Sequence, residues 1–306
     1  MERTKPLISV IMSTYREDEQ FLRKAIESIL IQTYTEFEFL IAVDDPQNTA
    51  LIAVLQEYAA RDTRIRLHIN EENMGLSASL NILLQEAQGN FVARMDADDI
   101  SMPKRLEKQI AYMKEHQVDI ISCDVDVIDE NDATIQKMTN LPSSDVKIKK
   151  KLCINNCLPH PGWMVRREVY QVLGGYRNTP YCEDYEFLLR ARNQGYRFGN
   201  INEELIRYRM TTISISRSNL YRQYLAMKYC QDKYVKGQAW EWNAYLEKHF
   251  DENEQMRYNK SAGLFTEGLA MAREQHYAKA IACLWRAFWG SSCYRDKMFK
   301  YLQQVL

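Results

Sequence analysis

The stretch Phe91-Val92-Ala93-Arg94-Met95-Asp96-Ala97-Asp98-Asp99 decides the fold class of this 306-residue chain. Its first five residues have the character of a buried strand, and three carboxylates follow within four positions. Open α/β folds bind ligands at the carboxyl ends of their strands, so we expect these carboxylates at a ligand-binding edge. Carboxylates this close repel one another unless a cation lies among them, and hard oxygen ligands suit Mg²⁺ or Mn²⁺. The alternative interpretation is a solvated acidic turn before the helix that begins near Pro103.

Strands and helices alternate on the N-terminal side of this stretch. The hydrophobic spacing predicts strands over 7–12, 37–43, 65–69 and 91–95, and helices over 21–31, 50–60 and 76–87. A repeated βα pattern of this kind predicts a mostly parallel open sheet flanked by helices.

Polar or acidic residues follow three of the predicted strands, at Thr14-Tyr15, Asp44-Asp45 and 96–99. Right-handed crossovers bring these strand ends to one edge, where they can converge on one ligand. No G-x-G-x-x-G follows the first strand and no Walker A loop is present, which disfavours dinucleotide-binding folds and P-loop kinases. We therefore expect phosphate to be held through a metal ion rather than by a glycine loop.

Composition and charge are those of an ordinary globular protein, long enough for two domains. A formal net charge of −1 argues against a dedicated nucleic-acid-binding protein, which normally has a strong basic excess. Seven cysteines without paired spacing predict reduced thiols and a cytoplasmic setting. We expect neither a signal peptide nor a membrane span, because no apolar run approaches ~18 residues.

The sequence changes in character near residue 217. From there proline is absent, the pattern predicts helices throughout, and four of the five tryptophans occur. Basic side chains outnumber acidic ones by 14 to 9 in this segment. We predict an α/β domain over 1–216 and an all-helical C-terminal region over 217–306. That region would be a cap on the first domain, a membrane-apposed surface or a subunit interface for a homo-oligomer.

A series of short motifs occurs in order over roughly the first 216 residues. They comprise residues 6–15, Gln32-Thr33-Tyr34, residues 39–45, Asn73-Met74-Gly75-Leu76 with Asn81, residues 93–99 with Pro103, Arg105-Leu106 and Gln109, His160-Pro161, Gly174-Gly175-Tyr176, Glu183-Asp184-Tyr185, and Tyr208-Arg209. Each motif is weak alone, but in this order they resemble those of family 2 glycosyltransferases, inverting enzymes with the GT-A fold. Bacterial members that build capsular, exopolysaccharide or cell-wall glycans are the most similar.

The resemblance implies a nucleotide-sugar donor, commonly a UDP-sugar, bound at the acidic edge. Thr14, Tyr15 and Glu17 would lie against the uracil and ribose. Asp44 would accept a hydrogen bond from the uracil N3–H, and Asn73 would shape the nucleotide cleft.

Asp96 and Asp98 resemble the D-x-D motif of the family. One would face the ribose and the other would bind the Mn²⁺ or Mg²⁺ that bridges the two phosphates, while Asp99 could share either task. Arg94 would form an ion pair at the edge of the core or contact the diphosphate.

For the acceptor side, Asp184 matches the base that takes the proton of the attacking hydroxyl in an inverting reaction. Its alternative role is to cap the helix predicted over 185–192. Glu183 would bind or orient the acceptor, and His160 would mark the acceptor cavity or be a structural histidine.

Two departures from the family pattern bear on the donor site. Asp45 is followed by Pro46-Gln47, where the family often has Gly-Ser, so this loop is expected to be stiffer. No histidine follows Tyr208-Arg209, although many members carry one as a late metal or phosphate ligand. Either the metal is bound more weakly, or Arg209 and Arg217 hold the diphosphate.

We expect a metal-dependent inverting hexosyltransferase that moves sugar from a UDP-sugar to a glycan or lipid-linked acceptor. One alternative is a sugar-1-phosphate nucleotidyltransferase, but such enzymes usually have a glycine-rich basic loop, and residues 13–18 contain no glycine. The other is a non-catalytic partner subunit of a glycan-assembly complex, against which the intact acidic motifs argue. A lipid-linked acceptor would place the enzyme at the inner face of the cell membrane.

Overall fold

The computed structural model describes residues 7–211 and 219–305, with side chains up to residue 300. The chain divides into two compact units. The first contains residues 7–152, 156–178 and 186–211, and the second contains residues 153–155, 179–185 and 219–305. Arg217, one of the predicted diphosphate ligands, lies outside the described residues. The domain limits expected from the sequence stay a prediction.

The first unit begins with the expected alternation of strands and helices. The elements are β1 (Ile8–Thr14), α1 (Glu19–Leu30), β2 (Phe37–Val43), α2 (Thr49–Arg61), β3 (Ile65–Ile69), α3 (Leu76–Glu86) and β4 (Phe91–Asp96). Their bounds agree with the expected segments to within two residues. All seven residues of β2 are buried, as a central strand of a parallel sheet with helices on both faces requires.

In the second half of this unit the sequence predicts two helices, one beginning near Pro103 and one over 185–192, and both are present; its strands are not predicted. This half contains β5 (Ile100–Ser101), α4 (Arg105–His116), β6 (Ile120–Ile128), β7 (Thr134–Met138), α5 (Asp145–Leu152), β8 (Met164–Arg166), α6 (Arg167–Leu173), α7 (Glu183–Asn193) and β9 (Phe198–Arg209), of which α7 starts in the second unit. Short strands of two to five residues, and a β7 exposed at every position, leave little periodicity to detect.

The strands form one sheet in the order β3-β2-β1-β4-β8-β6-β9-β5, with β7 paired to β6. Strands β1 to β4 are mutually parallel, and β6 is parallel to β9. The short β8 joins these two parallel groups by running antiparallel to both β4 and β6. The predicted α/β class, with a largely parallel open sheet flanked by helices, is confirmed.

The second unit is helical beyond residue 219, as expected. Its helices are α8 (Leu220–Tyr234), α9 (Trp242–His249), α10 (Glu252–Arg273), α11 (Tyr277–Gly290) and α12 (Ser292–Val305). Tyrosines dominate the small core, where Tyr221, Tyr224, Tyr258 and Tyr294 pack together with Ala287. None of the described helices is long and apolar enough to cross a membrane.

Glu254 on α10 caps the start of α12. Its Oε1 accepts hydrogen bonds from the Ser291 hydroxyl (2.6 Å) and the Cys293 backbone N–H (3.0 Å), and Arg257 Nε donates to Oε2 at 2.8 Å. Burial opposes ionisation, but these hydrogen bonds outweigh it and lower the pKa of Glu254 to about 2. A buried carboxylate thus satisfies one of the N–H groups that the start of a helix leaves without an intrahelical partner.

Candidate active site

The polar ends of the first strands meet at one edge of the sheet. Ser13 on β1 is in register with Asp96 on β4. The Asp44 N–H donates to the Thr14 carbonyl at 2.8 Å, and the Asn70 N–H donates to the Val43 carbonyl at 3.0 Å. The convergence expected from strand order is therefore present in the first unit.

Asp44 stabilises the turn that precedes α3 through hydrogen bonds. Its Oδ1 accepts hydrogen bonds from the Asn70 side-chain amide (2.7 Å) and the Met74 N–H (2.8 Å), and its Oδ2 accepts one from the Gly75 N–H (2.9 Å). Gly75 has φ of +82°, a conformation that favours glycine. Asn73 lies exposed on the same turn. The two carboxylate oxygens of Asp44 can accept further hydrogen bonds, so these contacts do not prevent one from the uracil. That contact stays a prediction.

The residues after β1 surround a second carboxylate. The Thr14 hydroxyl donates to Glu17 Oε2, and the Tyr15 N–H donates to the same oxygen at 2.8 Å. The Tyr15 ring is partly exposed, with the Arg16 guanidinium 4.8 Å from its centroid. Burial raises the pKa of Glu17, and the negative charge of Asp96 adds to the shift.

The D-x-D aspartates differ in their partners. Asp96 forms an ion pair with the buried Arg94, which is the first of the two roles left open for that arginine. Asp98 has no such cation among the described ion pairs. Burial, together with the charges of Asp96 and Glu17, raises the pKa of Asp98 to about 7. The edge therefore brings the carboxylates of Glu17, Asp96 and Asp98 close enough to repel one another.

Asp99 is fully buried and accepts a hydrogen bond from the backbone of β9. Its Oδ1 accepts a hydrogen bond from the Arg209 N–H at 2.7 Å, while its buried Oδ2 has no hydrogen-bond partner among the described residues. Burial, followed by the charges of Asp96 and Asp98, raises the pKa of Asp99 well above its usual range. These contacts differ from those of the more exposed Asp98.

The Arg209 guanidinium is also buried and is bound to protein groups. Nε donates to the Asp98 carbonyl and Nη1 to the Asp129 carbonyl, both at 2.8 Å, and Nη2 lies 2.6 Å from Asp132 Oδ1. The Phe21 ring lies beneath it, 4.1 Å from the ring centroid to Cζ. Arg209 thus positions the loop after β4, and a diphosphate contact would require it to leave these partners.

Arg105 supports the site in a way that the sequence motifs do not reveal. It is fully buried at the start of α4, and its Nη2 donates to the carbonyls of Arg94 (2.7 Å) and Trp163 (3.1 Å). Burial lowers the pKa of Arg105 to about 10, so it remains a cation beside the acidic strand. The available signal was a charged residue on the buried face of α4, shared with Leu106, Gln109, Ile110 and Met113.

The donor set at this edge fits a divalent cation. Carboxylate oxygens are hard ligands, and a cation would oppose both causes of the raised pKa of Asp98, its burial and the charges of Asp96 and Glu17. Within residues 7–211 and 219–300, no three Asp, Glu, His or Cys side chains are arranged to hold a metal by themselves. Mg²⁺-type sites commonly use one or two carboxylates and complete their coordination with substrate phosphates and water.

The acceptor-side candidates occupy different surroundings. Asp184 is in the second unit, in the first turn of α7, with Oδ1 accepting a 2.6 Å hydrogen bond from the Tyr185 N–H. Glu183 is the first residue of that helix, and both side chains are partly exposed. A base needs such access to its substrate, so the helical position is compatible with the predicted role.

His160 is in the first unit and is enclosed by aromatic rings. Its Nε2 lies 2.8 Å from the Tyr176 hydroxyl, and its ring packs edge-on against Trp163. Burial, aided by the charge of Arg94, lowers the pKa of His160 well below its usual range, which makes it neutral. These contacts are those expected of a structural histidine.

Comparison with known proteins identifies the family. The sequence model described as "Glycosyl transferase family 2" matches residues 9–174, more than half of the chain. The chain belongs to glycosyltransferase family 2. It is therefore a glycosyltransferase, and the inverting type expected from the motifs agrees with this family.

Curated relatives carry the same activity in their names. An uncharacterized glycosyltransferase, MJ1057 of Methanocaldococcus jannaschii, is 35% identical over 238 residues, covering 76% of this chain and 82% of the relative. The O-antigen biosynthesis glycosyltransferase WbnJ of Escherichia coli is 34% identical over 220 residues, covering 71% and 85%.

Solved structures share the fold. TarS 1–349 of S. aureus in complex with UDP-GlcNAc superposes with a TM-score of 0.59 at 16% identity, covering 93% of this chain and 92% of that one. The mannosyltransferase PcManGT of Pyrobaculum calidifontis, in complex with GDP-Man and Mn²⁺, gives 0.58 at 16%, covering 94% and 88%. The GT-A fold expected from the motifs is confirmed.

Proposed function

We propose that this chain is a metal-dependent, inverting glycosyltransferase that uses a UDP-sugar donor and a glycan or lipid-linked acceptor in surface polysaccharide synthesis. The observation that carries the proposal is the acidic edge, where Asp98 lies close to Asp96 and Glu17 and forms no ion pair among the described residues. A nucleoside diphosphate with its divalent ion has the charge and the oxygen ligands to complete such a site.

For the nucleoside, we assign the corner formed by Thr14, Tyr15, Glu17 and Asp44. The partly exposed Tyr15 ring offers a face for a base, and the Glu17 carboxylate offers acceptors for hydroxyl groups. Asp44 supports the assignment by setting the turn beside this corner through its bonds to Met74 and Gly75.

For Mn²⁺ or Mg²⁺, we assign Asp98 as the direct ligand. Asp96 is held by Arg94, and this ion pair favours a role toward the ribose or as a secondary ligand. When bound, the ion would neutralise the charge that builds on the departing nucleoside diphosphate. Asp99 and Arg209 position the loop that carries Asp98, through the hydrogen bonds on either side of it.

For proton transfer, we assign Asp184. In an inverting reaction the acceptor oxygen attacks the anomeric carbon from the face opposite the leaving diphosphate, and its proton passes to a carboxylate. The C1–O bond to the phosphate breaks as the new C1–O bond forms. Glu183 would orient the acceptor beside this base.

The acceptor class is supported by the names of the relatives. Besides O-antigen biosynthesis, they include amylovoran biosynthesis in Erwinia amylovora and a putative teichuronic acid enzyme of Bacillus subtilis. Surface glycans of these kinds are the substrate class we propose, with the enzyme at the inner face of the cell membrane.

The proposal is tested by incubating the protein with a panel of UDP-sugars and candidate acceptors, with Mn²⁺ or with a chelator, and measuring UDP release. We expect metal-dependent UDP release that increases with a suitable acceptor. The Asp98→Asn variant is the negative control.

Two results would overturn the proposal. Pyrophosphate release from a sugar 1-phosphate and a nucleoside triphosphate would indicate a nucleotidyltransferase. Absence of both UDP-sugar binding and turnover across the panel would indicate a non-catalytic partner subunit.

A further inference from the structure

An exposed aromatic stripe runs along α11. Tyr277, Ile281, Trp285 and Trp289 follow one another at intervals of four residues, so they share one face of the helix. Each is between 57% and 66% exposed. The opposite face, with Ala280, Cys283 and Ala287, is buried. A helix this apolar on its solvent side is unusual for a surface that contacts only water.

The stripe continues onto neighbouring rings of the same unit. Trp289 contacts both Trp285 and Phe288, with centroids 5.8 and 5.2 Å apart. Phe288 in turn contacts the half-exposed Phe299 of α12 at 5.3 Å. The aromatic patch, defined as these four rings with Tyr277 and Ile281, is therefore one continuous surface.

Within residues 277–300, which carry the patch, basic side chains outnumber acidic ones. No Asp or Glu occurs in α11, and residues 277–300 contain five Lys or Arg and one acidic residue, Asp296. Asp296 is already paired with Lys300 at 3.2 Å and accepts a hydrogen bond from Tyr224 at 2.9 Å. The Arg295 guanidinium lies 5.2 Å from the Trp289 ring. Residues 277–300, which carry the patch, therefore have a net charge of +4, five basic residues less one acidic one.

This charge selects among the surfaces that could cover the patch. A two-fold contact between copies of the chain would bring the same basic surface against itself, which is unfavourable. An anionic lipid surface is complementary to it. Exposed indole and phenol rings beside Lys and Arg are also the groups that settle at the level of lipid headgroups.

We propose that the aromatic patch of α11 and α12 docks on an anionic membrane surface. Trp285 and Trp289 enter the interfacial layer, while Arg286 and Arg295 meet the lipid phosphates. The inference deepens the proposed use of a lipid-linked acceptor. It can be tested separately, because vesicle binding requires neither donor nor acceptor.

The experiment is flotation of the full chain with vesicles of phosphatidylcholine alone, or with about a third phosphatidylglycerol, at low and high salt. We expect binding only to the anionic vesicles, and weaker binding at high salt. Trp285→Ala with Trp289→Ala should reduce the partition coefficient at least about tenfold. Arg286→Gln with Arg295→Gln should reduce it by roughly fivefold for each charge removed. Met256→Ala, at an equally exposed apolar position on α10, should bind as the parent does.

Folding is checked by thermal melting and by UDP binding with Mn²⁺. Should the double tryptophan variant not fold, quenching of wild-type tryptophan fluorescence by brominated anionic lipids tests the same contact. The proposal would be overturned by equal binding to both vesicle types, or by no quenching with brominated lipids. It would also be overturned if Met256→Ala lost as much vesicle binding as the double tryptophan variant. A dimer in light scattering that the tryptophan substitutions dissociate would overturn it too, if vesicle binding is absent.

Discussion

Asp99 and Arg209 are hydrogen-bonded at the end of the acidic strand, and Arg209 also binds the residue before Asp99. Asp99 Oδ1 accepts the Arg209 backbone N–H at 2.7 Å, and Arg209 Nε donates to the carbonyl of the preceding Asp98 at 2.8 Å. Since Arg209 is the last residue of β9, these bonds tie the loop after β4 to a strand formed a hundred residues later. The position of Asp98 therefore depends on β9 as well as on β4.

The first prediction tests whether Asp99 stabilises the loop after β4 or binds the metal and nucleotide. Because the raised pKa favours a neutral carboxyl, Asp99→Asn should keep an acceptor for the Arg209 N–H and change stability by less than about 0.5 kcal/mol. Asp99→Ala leaves that N–H unsatisfied and should cost about 1–3 kcal/mol. Urea unfolding measures both. An unchanged stability with a large loss of UDP–Mn²⁺ affinity in Asp99→Asn would instead make Asp99 a ligand.

The second prediction concerns the proposed metal ligand. Asp98→Asn removes a charged oxygen ligand, so calorimetry should show the affinity for UDP with Mn²⁺ falling about tenfold or more. Glu115→Gln, an exposed change on α4, should leave this affinity unchanged. Wild-type affinity in Asp98→Asn would place the ion elsewhere.

The third prediction concerns the proposed base. Asp184→Asn keeps the shape of the side chain but cannot take a proton, so transfer should fall by roughly 10²–10⁴-fold. UDP affinity should be retained, since the residue is not assigned to the nucleotide. Glu183→Gln is the matched control and should lower transfer less. A parallel loss of UDP affinity in Asp184→Asn would support the capping role instead.

The fourth prediction concerns the start of α12. Glu254→Gln weakens the cap over Ser291 and Cys293 and removes the ion pair with Arg257, so it should destabilise the second unit by about 1–3 kcal/mol near neutral pH.

This effect should depend on pH in a defined direction. Because the pKa of Glu254 is lowered to about 2 from 4.5, its stabilisation is complete above about pH 4.5 and is lost as the pH falls toward 2. Circular dichroism melts should therefore show wild type and variant converging in acid. A difference in melting temperature that stays constant down to pH 2 would exclude stabilisation by an ionised Glu254.

How much the sequence predicts depends on how local the signal is. The alternation up to Asp96 follows from hydrophobic periodicity, and the shared edge follows from strand chirality. The roles of Arg105 and Arg209 cannot be predicted in this way, because each depends on carbonyl groups that only the folded sheet brings close. Among the strands after β4, β5, β7 and β8 have five residues or fewer and pair with partners distant in sequence, so hydrophobic periodicity does not reveal them.

The bonds of Asp44 to the turn before α3 have a consequence for how nucleotide preference can change in this protein. If the same carboxylate also receives the base, any exchange at position 44 made to suit another nucleobase would loosen Met74 and Gly75 at the same time. A drift in donor choice through this position would then need a second, compensating substitution in the turn. Base preference at this corner is in that sense protected against single mutations.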